Sequence, residues 1–172
     1  MICLFDDKIK ILVFSWNFSI FYYGCNRTVL SQLQTIQNRA CRVVFGLKKR
    51  ESVEDRLQSL HWLKVNERIE FKLLLLAYKS IHGLAPIYLS ELLYLNCNSG
   101  RRRSSLHIPL GNNSCKARAF QLAVPKLWHN LPNDIKECPT LLSFKSKLKT
   151  FLFKKSYNID WTFIGYRIDI LL

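Results

Sequence analysis

With 172 residues, 49% of them hydrophobic and 13% aromatic, the chain can bury one sizeable core and is too apolar for wholesale disorder. Its 26 Lys and Arg outnumber 12 Asp and Glu, and the resulting charge of +14 bears on partners and solubility rather than on fold. The six cysteines form no C-x-x-C pair and no Cys/His zinc-ligand spacing, which argues against a zinc finger and for reduced, buried, inert thiols.

The first segment, residues 1–27, is apolar. Within it, ILVFSWNFSIFYY at 11–23 falls short of the roughly 20 apolar residues a spanning helix needs, and Ser15, Asn17 and Ser19 interrupt it. It lacks the positive start and small-residue cleavage site of a signal peptide, so a buried helix or strand is expected rather than a membrane segment. Asp6-Asp7 in LFDD invites comparison with polymerase carboxylates that hold Mg²⁺. Phe5 directly precedes the pair and nothing upstream supplies a third carboxylate, so an exposed turn is expected.

A helix is expected over 28–45, capped by Thr28 and ended by Gly46. Leu33, Ile36, Ala40, Val43 and Val44 share an apolar face, and Thr35, Arg39 and Arg42 form a separate stripe. Lys48, Lys49 and Arg50 come next, where the helix dipole favours cations, a reason for the charge that needs no ligand. Ser52-x-x-Asp55 resembles a capping box, imperfect because Asp replaces Glu, ahead of the stripe Val53, Leu57, Leu60. Asn66 is expected to cap a helix over 67–82, whose middle, FKLLLLAY, is apolar nearly all round and should lie deep in the core. His82 is placed to satisfy free carbonyls beside Gly83, and Pro86 opens a short helix to about 95.

Residues 96–105, NCNSGRRRSS, form a polar hinge near Gly100. A short edge strand or hairpin is expected around 106–124, with Pro109 favouring an edge. Pro125, Pro132 and Pro139 divide the next stretch of chain into turns and helical pieces. A final helix over 140–155 carries Leu141, Phe144, Leu148, Phe151 and Leu152 on one face, with Lys145, Lys147, Lys149 and Lys154 around it. Residues 158–172 show no pattern. The expected fold is mainly α: a small helical domain.

The charge is segregated. From Lys8 to Arg50 there are eight basic residues and no acid, from Leu92 to Asn133 six, and from Leu141 to Ile159 five. Such blocks suit a polyanion, RNA or DNA being the usual one, while a solvated basic surface or a missing acidic companion would account for them as well. Arg101-Arg102-Arg103 reads as a solvated loop, a phosphate contact or an import-like patch. The lysine-rich last helix suits phosphates, an anionic membrane surface, or a core helix with snorkelling lysines. No phosphate-cradling glycine loop or nucleophile elbow is present, and His61, His82, His107 and His129 are scattered.

An ordered series of motifs runs through the same stretches. It begins with Leu33-Gln34-x-x-Gln37-Asn38-Arg39-Ala40-x-Arg42, then Leu60-x-Trp62-Leu63-x-Val65-x-x-Arg68. Tyr78-Lys79-x-x-His82-Gly83-x-Ala85-Pro86-x-Tyr88-Leu89 is third. Arg103-Ser104, Arg118-Ala119-Phe120, Pro125-x-Leu127-Trp128-x-x-Leu131-Pro132-x-x-Ile135 and Phe144-Lys145-x-x-Leu148-Lys149 complete it. In this order the motifs resemble the carboxyl-terminal, post-thumb region of reverse transcriptases from jockey-like non-LTR (LINE-type) retrotransposons, over residues 18–157. Lys116 stands where such sequences commonly have Gly, and the start through Asn17 fits poorly.

The resemblance implies a truncated piece of an RNA-directed DNA polymerase whose palm, fingers and endonuclease are absent, so Mg²⁺ belongs to the intact parent alone. It implies a helical region over 28–157, intracellular, and nuclear if it follows its parent element. The expectation is a non-catalytic segment without cofactor, metal or small-molecule substrate, whose partners are RNA or RNA–DNA hybrid and the parent's polymerase domain. Candidate nucleic-acid contacts are Arg39, Arg42, Lys48, Lys49, Arg50, Arg101, Arg102, Arg103, Lys145, Lys147, Lys149 and Lys154. The rival expectation is a packing module without ligand.

Overall fold

Runs of helical periodicity bounded by Gly, Pro and Asn become seven helices among the described residues, and the fold is mainly α. The computed structural model describes residues 23–93, residue 106 and residues 120–157. The chain divides into two compact units, residues 1–72 and 73–172, each with its own packing.

In the first unit, α1 spans Arg27–Phe45. Its cap is Asn26, whose Oδ1 accepts the Thr28 N–H at 3.5 Å, so the expected cap Thr28 already lies inside the helix. Gly46 ends it as expected: at φ +63° it lets the Leu47 N–H return to the Arg42 carbonyl at 3.0 Å. The buried face is not the expected one. Ile36 and Val43 are 50% and 49% exposed, whereas Gln37 and Cys41 are buried at 2% and 0%. The helix is turned so that an amide is buried, because that amide finds a partner: Gln37 Nε2 donates to the Leu63 carbonyl at 2.8 Å.

α2 spans Glu54–Ser59. Its cap is Val53, with no side-chain bond, so the Ser52-x-x-Asp55 box does not form; burial of Val53 and Leu57 holds the short helix instead. α3, Val65–Ile81, starts before Asn66, the expected cap. The orphan N–H of Val65 is taken from outside the helix by Gln34 Oε1 at 2.9 Å.

The second unit begins within α3. Leu73, Leu74, Ala77 and Tyr78 are buried, while Leu75 and Leu76 are half-exposed, so FKLLLLAY buries one broad face and not its whole circumference. Gly83 at φ +69° lets the Leu84 N–H reach the Lys79 carbonyl at 2.8 Å. That closure replaces the expected imidazole cap: the His82 ring packs on Tyr78 with centroids 4.0 Å apart. α4, Ile87–Glu91, is shorter than expected, and Ser90 Oγ donates to the Ser80 carbonyl at 2.9 Å.

α5, Phe120–His129, makes helix of residues 120–124, the last part of the expected strand or hairpin around 106–124, while Leu106 near its start forms a single bridge. Leu122, Ala123, Val124, Pro125 and Trp128 are all buried, and that apolar gain outweighs the one helical bond Pro125 cannot make. Leu106 is buried, its carbonyl 2.9 Å from His129 Nε2; the expected hinge near Gly100 and residues 107–119 lie outside the described residues.

α6, Asn133–Lys136, follows Pro132, and α7 spans Leu141–Tyr157 with Thr140 Oγ1 accepting the Ser143 N–H at 3.2 Å. Phe144, Leu148 and Leu152 are buried as the periodicity requires; Phe151 is half-exposed, and Phe153 and Tyr157 are buried in addition. Phe144 stacks on Tyr78 (4.2 Å) and faces Trp128 (6.0 Å), and Tyr78 donates its hydroxyl to the Cys138 carbonyl at 2.8 Å.

Candidate nucleic-acid interface

A phosphate-gripping surface needs cations that are solvent-facing and unspent. In the first unit α1 contains no acid, and Arg39 stands exposed on it without a side-chain partner among the described residues. Lys48, Lys49 and Arg50 are exposed in the turn after α1, and none of their side chains is paired among the described residues. The nearest acid, Glu51, is occupied: its Oε1 accepts the Lys48 backbone N–H at 3.3 Å.

Arg42, from the same stripe as Arg39, is half-buried. Its Nη2 donates to the Glu51 carbonyl at 3.4 Å, and its Nε is shielded without a hydrogen-bond partner. Basic residues that periodicity did not single out also belong to this unit, Arg27 and Arg56 among them. Arg27 is exposed at the start of α1, and the Arg56 guanidinium lies 5.4 Å from the centre of the Phe45 ring. No local pattern marks Arg56, since its partner lies on another helix.

Among the described residues, the second unit also spends part of its charge on its own backbone. Lys147 is exposed but reaches the Asp134 carbonyl at 3.3 Å, and Lys136 reaches the His129 carbonyl at 3.2 Å. Lys145 and Lys149 are half-buried, and burial pulls the ammonium of Lys149 below the ordinary lysine value, as it does for Lys136. Lys154 is exposed near the end of α7. Arg101, Arg102 and Arg103 lie outside the described residues.

The first unit also holds a cleft of about 700 Å³ that no motif announced. α1 supplies one wall through Arg27, Leu30, Ser31, Gln34, Asn38 and Arg42. The opposite walls come from Glu51, Val53, Glu54 and Leu57, and from Lys64, Val65, Asn66 and Glu67. Gln34 Nε2 donates to both Gln37 Oε1 and Asn38 Oδ1 at 3.0 Å, fixing the amides along this wall. Lys64 Nζ and Glu54 Oε1 pair at 2.6 Å, while Glu67 Oε2 is shielded without a partner.

Among the described residues, no cluster of His, Cys, Asp or Glu has the makings of a metal site, and no helix is long and apolar enough to cross a membrane. Asp6 and Asp7 lie outside the described residues. Comparison with protein families, curated proteins and solved structures finds no match to this chain.

Proposed function

We propose that the chain is a non-catalytic segment, similar to the post-thumb region of a jockey-like retrotransposon reverse transcriptase, that grips RNA or RNA–DNA hybrid through phosphate contacts. The observation that supports this is the group Arg39, Lys48, Lys49 and Arg50: four exposed cations, unpaired among the described residues, on and just after a helix without acids. Each phosphate they neutralise steepens the salt dependence, by about 0.7 logarithmic units on single strands and 0.9 on duplex DNA.

The test is a titration of labelled RNA across salt concentrations with the parent chain and with all four residues changed to Gln. Binding by the parent that falls steeply with salt, and a slope shallower by about 3 on single-stranded RNA in the variant, is the expected result. Equal parent affinity at low and high salt overturns the proposal, and primer extension by the chain with Mg²⁺ overturns its non-catalytic part.

A second reading, a packing module that docked on the parent's polymerase domain, draws on a different observation. Leu84, Ile87 and Tyr88 are 58%, 76% and 63% exposed around the start of α4. It predicts no RNA binding at any salt.

A further inference from the structure

We infer that the first-unit cleft takes an unpaired guanine base, held by its hydrogen-bonding edges while the phosphates on either side meet the cations outside. This rests on the nucleic-acid reading and deepens it from backbone gripping to base selection.

Charge comes first. The chain carries +14, yet the cleft is balanced, with Arg27, Arg42 and Lys64 facing Glu51, Glu54 and Glu67. Three carboxylates disfavour a phosphate there, and three cations disfavour a free cation. A neutral group rich in both donors and acceptors fits.

Size and lining agree. About 700 Å³ is ample for one nucleoside, and Leu30, Val53, Leu57 and Val65 give apolar surface for a ring among the polar groups. The two shielded atoms without partners are of opposite kinds, a donor at Arg42 Nε and an acceptor at Glu67 Oε2. Each carries the desolvation cost of an unmade bond. Both side chains are only half-buried, so a modest rotation toward the cleft exchanges that cost for a bond to an occupant.

The chemistry then selects the base. A carboxylate is acceptor-only, and guanine alone among the four bases offers two adjacent donors, N1–H and the N2 amine, on one edge. A guanidinium is donor-only, and the other edge of guanine presents O6 and N7 as acceptors. Adenine and cytosine offer a carboxylate one amine, and uracil one imide. Recognition of splayed single-stranded bases along their edges is the usual route to sequence preference in RNA.

The experiment compares U-only dodecamer RNA with dodecamers carrying one central G, A or C, on the parent chain and Glu67→Gln, with melting curves for both proteins. The G dodecamer should bind about tenfold tighter than the others, and Glu67→Gln should erase that ratio between G and U dodecamers, whatever the lost charge does to both alike, with the fold in place. Arg42→Lys, which keeps the charge but loses Nε, should also weaken the preference. Equal affinity for all four, or a preference that survives both substitutions, overturns the inference. Guanosine, which has no phosphate, separates the two proposals. If no dodecamer binds but guanosine, and not adenosine, perturbs cleft resonances in NMR, the gripping reading falls and the cleft stands. If dodecamers bind without base preference and guanosine has no effect, the cleft falls alone.

Discussion

Gln34 closes the start of α3 from the neighbouring helix: its Oε1 accepts the Val65 N–H at 2.9 Å, across 31 positions of chain. Its Nε2 is shared by Gln37 Oε1 and Asn38 Oδ1, and Gln37 Nε2 goes on to the Leu63 carbonyl at 2.8 Å. The Gln34-x-x-Gln37-Asn38 spacing is thus a clamp on the turn into α3, with Gln37 at its centre. Replacing Gln37 by Leu keeps the volume and removes that centre. It leaves a buried carbonyl at Leu63 and one hydrogen of Gln34 unpaired, a loss of about 1–3 kcal/mol. Urea denaturation should show the midpoint falling with little change in slope.

The clamp also marks where pattern reading stopped. Helix ends were legible at Gly46 and Gly83, because a left-handed terminus is a local demand that glycine meets without strain. The core stripe of α7 was legible at Phe144, Leu148 and Leu152, because apolar residues alone decide it. The buried face of α1 was not. Its apolar residues Ile36 and Val43 face outward, while Gln37 is held inside by a carbonyl 26 positions away, which no helical period encodes. The same holds for the cleft, whose walls come from three separate stretches, and for the start of α3, where a cap from another helix displaced Asn66.

His61 adopts φ +53° after α2, the position where Gly46 and Gly83 stand after α1 and α3. The Trp62 N–H returns to the Leu57 carbonyl at 3.0 Å, the same closure that those glycines allow. A side chain in that region costs about 1–2 kcal/mol, offset in part by the extra freedom glycine gives the unfolded chain. His61→Gly should therefore raise stability by about 0.5–1 kcal/mol, visible as a higher melting temperature. An unchanged or lower value would mean that the contacts of the His61 side chain outweigh the backbone strain.

Lys149 sets an alkaline dependence. Burial holds its folded pKa below the ordinary 10.5, so the unfolded chain keeps the proton to higher pH than the folded one does. Between the lowered value and 10.5 the unfolded state binds more protons, and this residue's contribution to stability rises with pH; below that window its penalty is present in full. Cys41 acts in the opposite sense, since burial pushes its thiol above 9.0 and its contribution is lost as pH climbs beyond that point. Lys149→Met leaves Cys41 untouched, so the difference between variant and parent isolates the lysine. The variant should be the more stable at pH 7, with an advantage that shrinks as pH approaches 10.5.

Arg39 and Arg42 share one stripe of α1, and the structure gives them different work. Arg39 is exposed and unpaired among the described residues, so Arg39→Gln should leave melting within about 0.5 kcal/mol of the parent. If it meets a phosphate, that substitution makes the salt slope of RNA binding shallower by about 0.7. Arg42 ties the end of α1 to the turn at Glu51 through a long 3.4 Å bond, so Arg42→Gln should lower stability by up to about 1 kcal/mol. Its effect on RNA then mixes a lost charge with a loosened turn. Paired melting and binding curves on the two single variants separate these terms, and only Arg39 reports phosphate contact cleanly. A parent-like salt slope in Arg39→Gln would move the grip away from α1 and onto Lys48, Lys49 and Arg50.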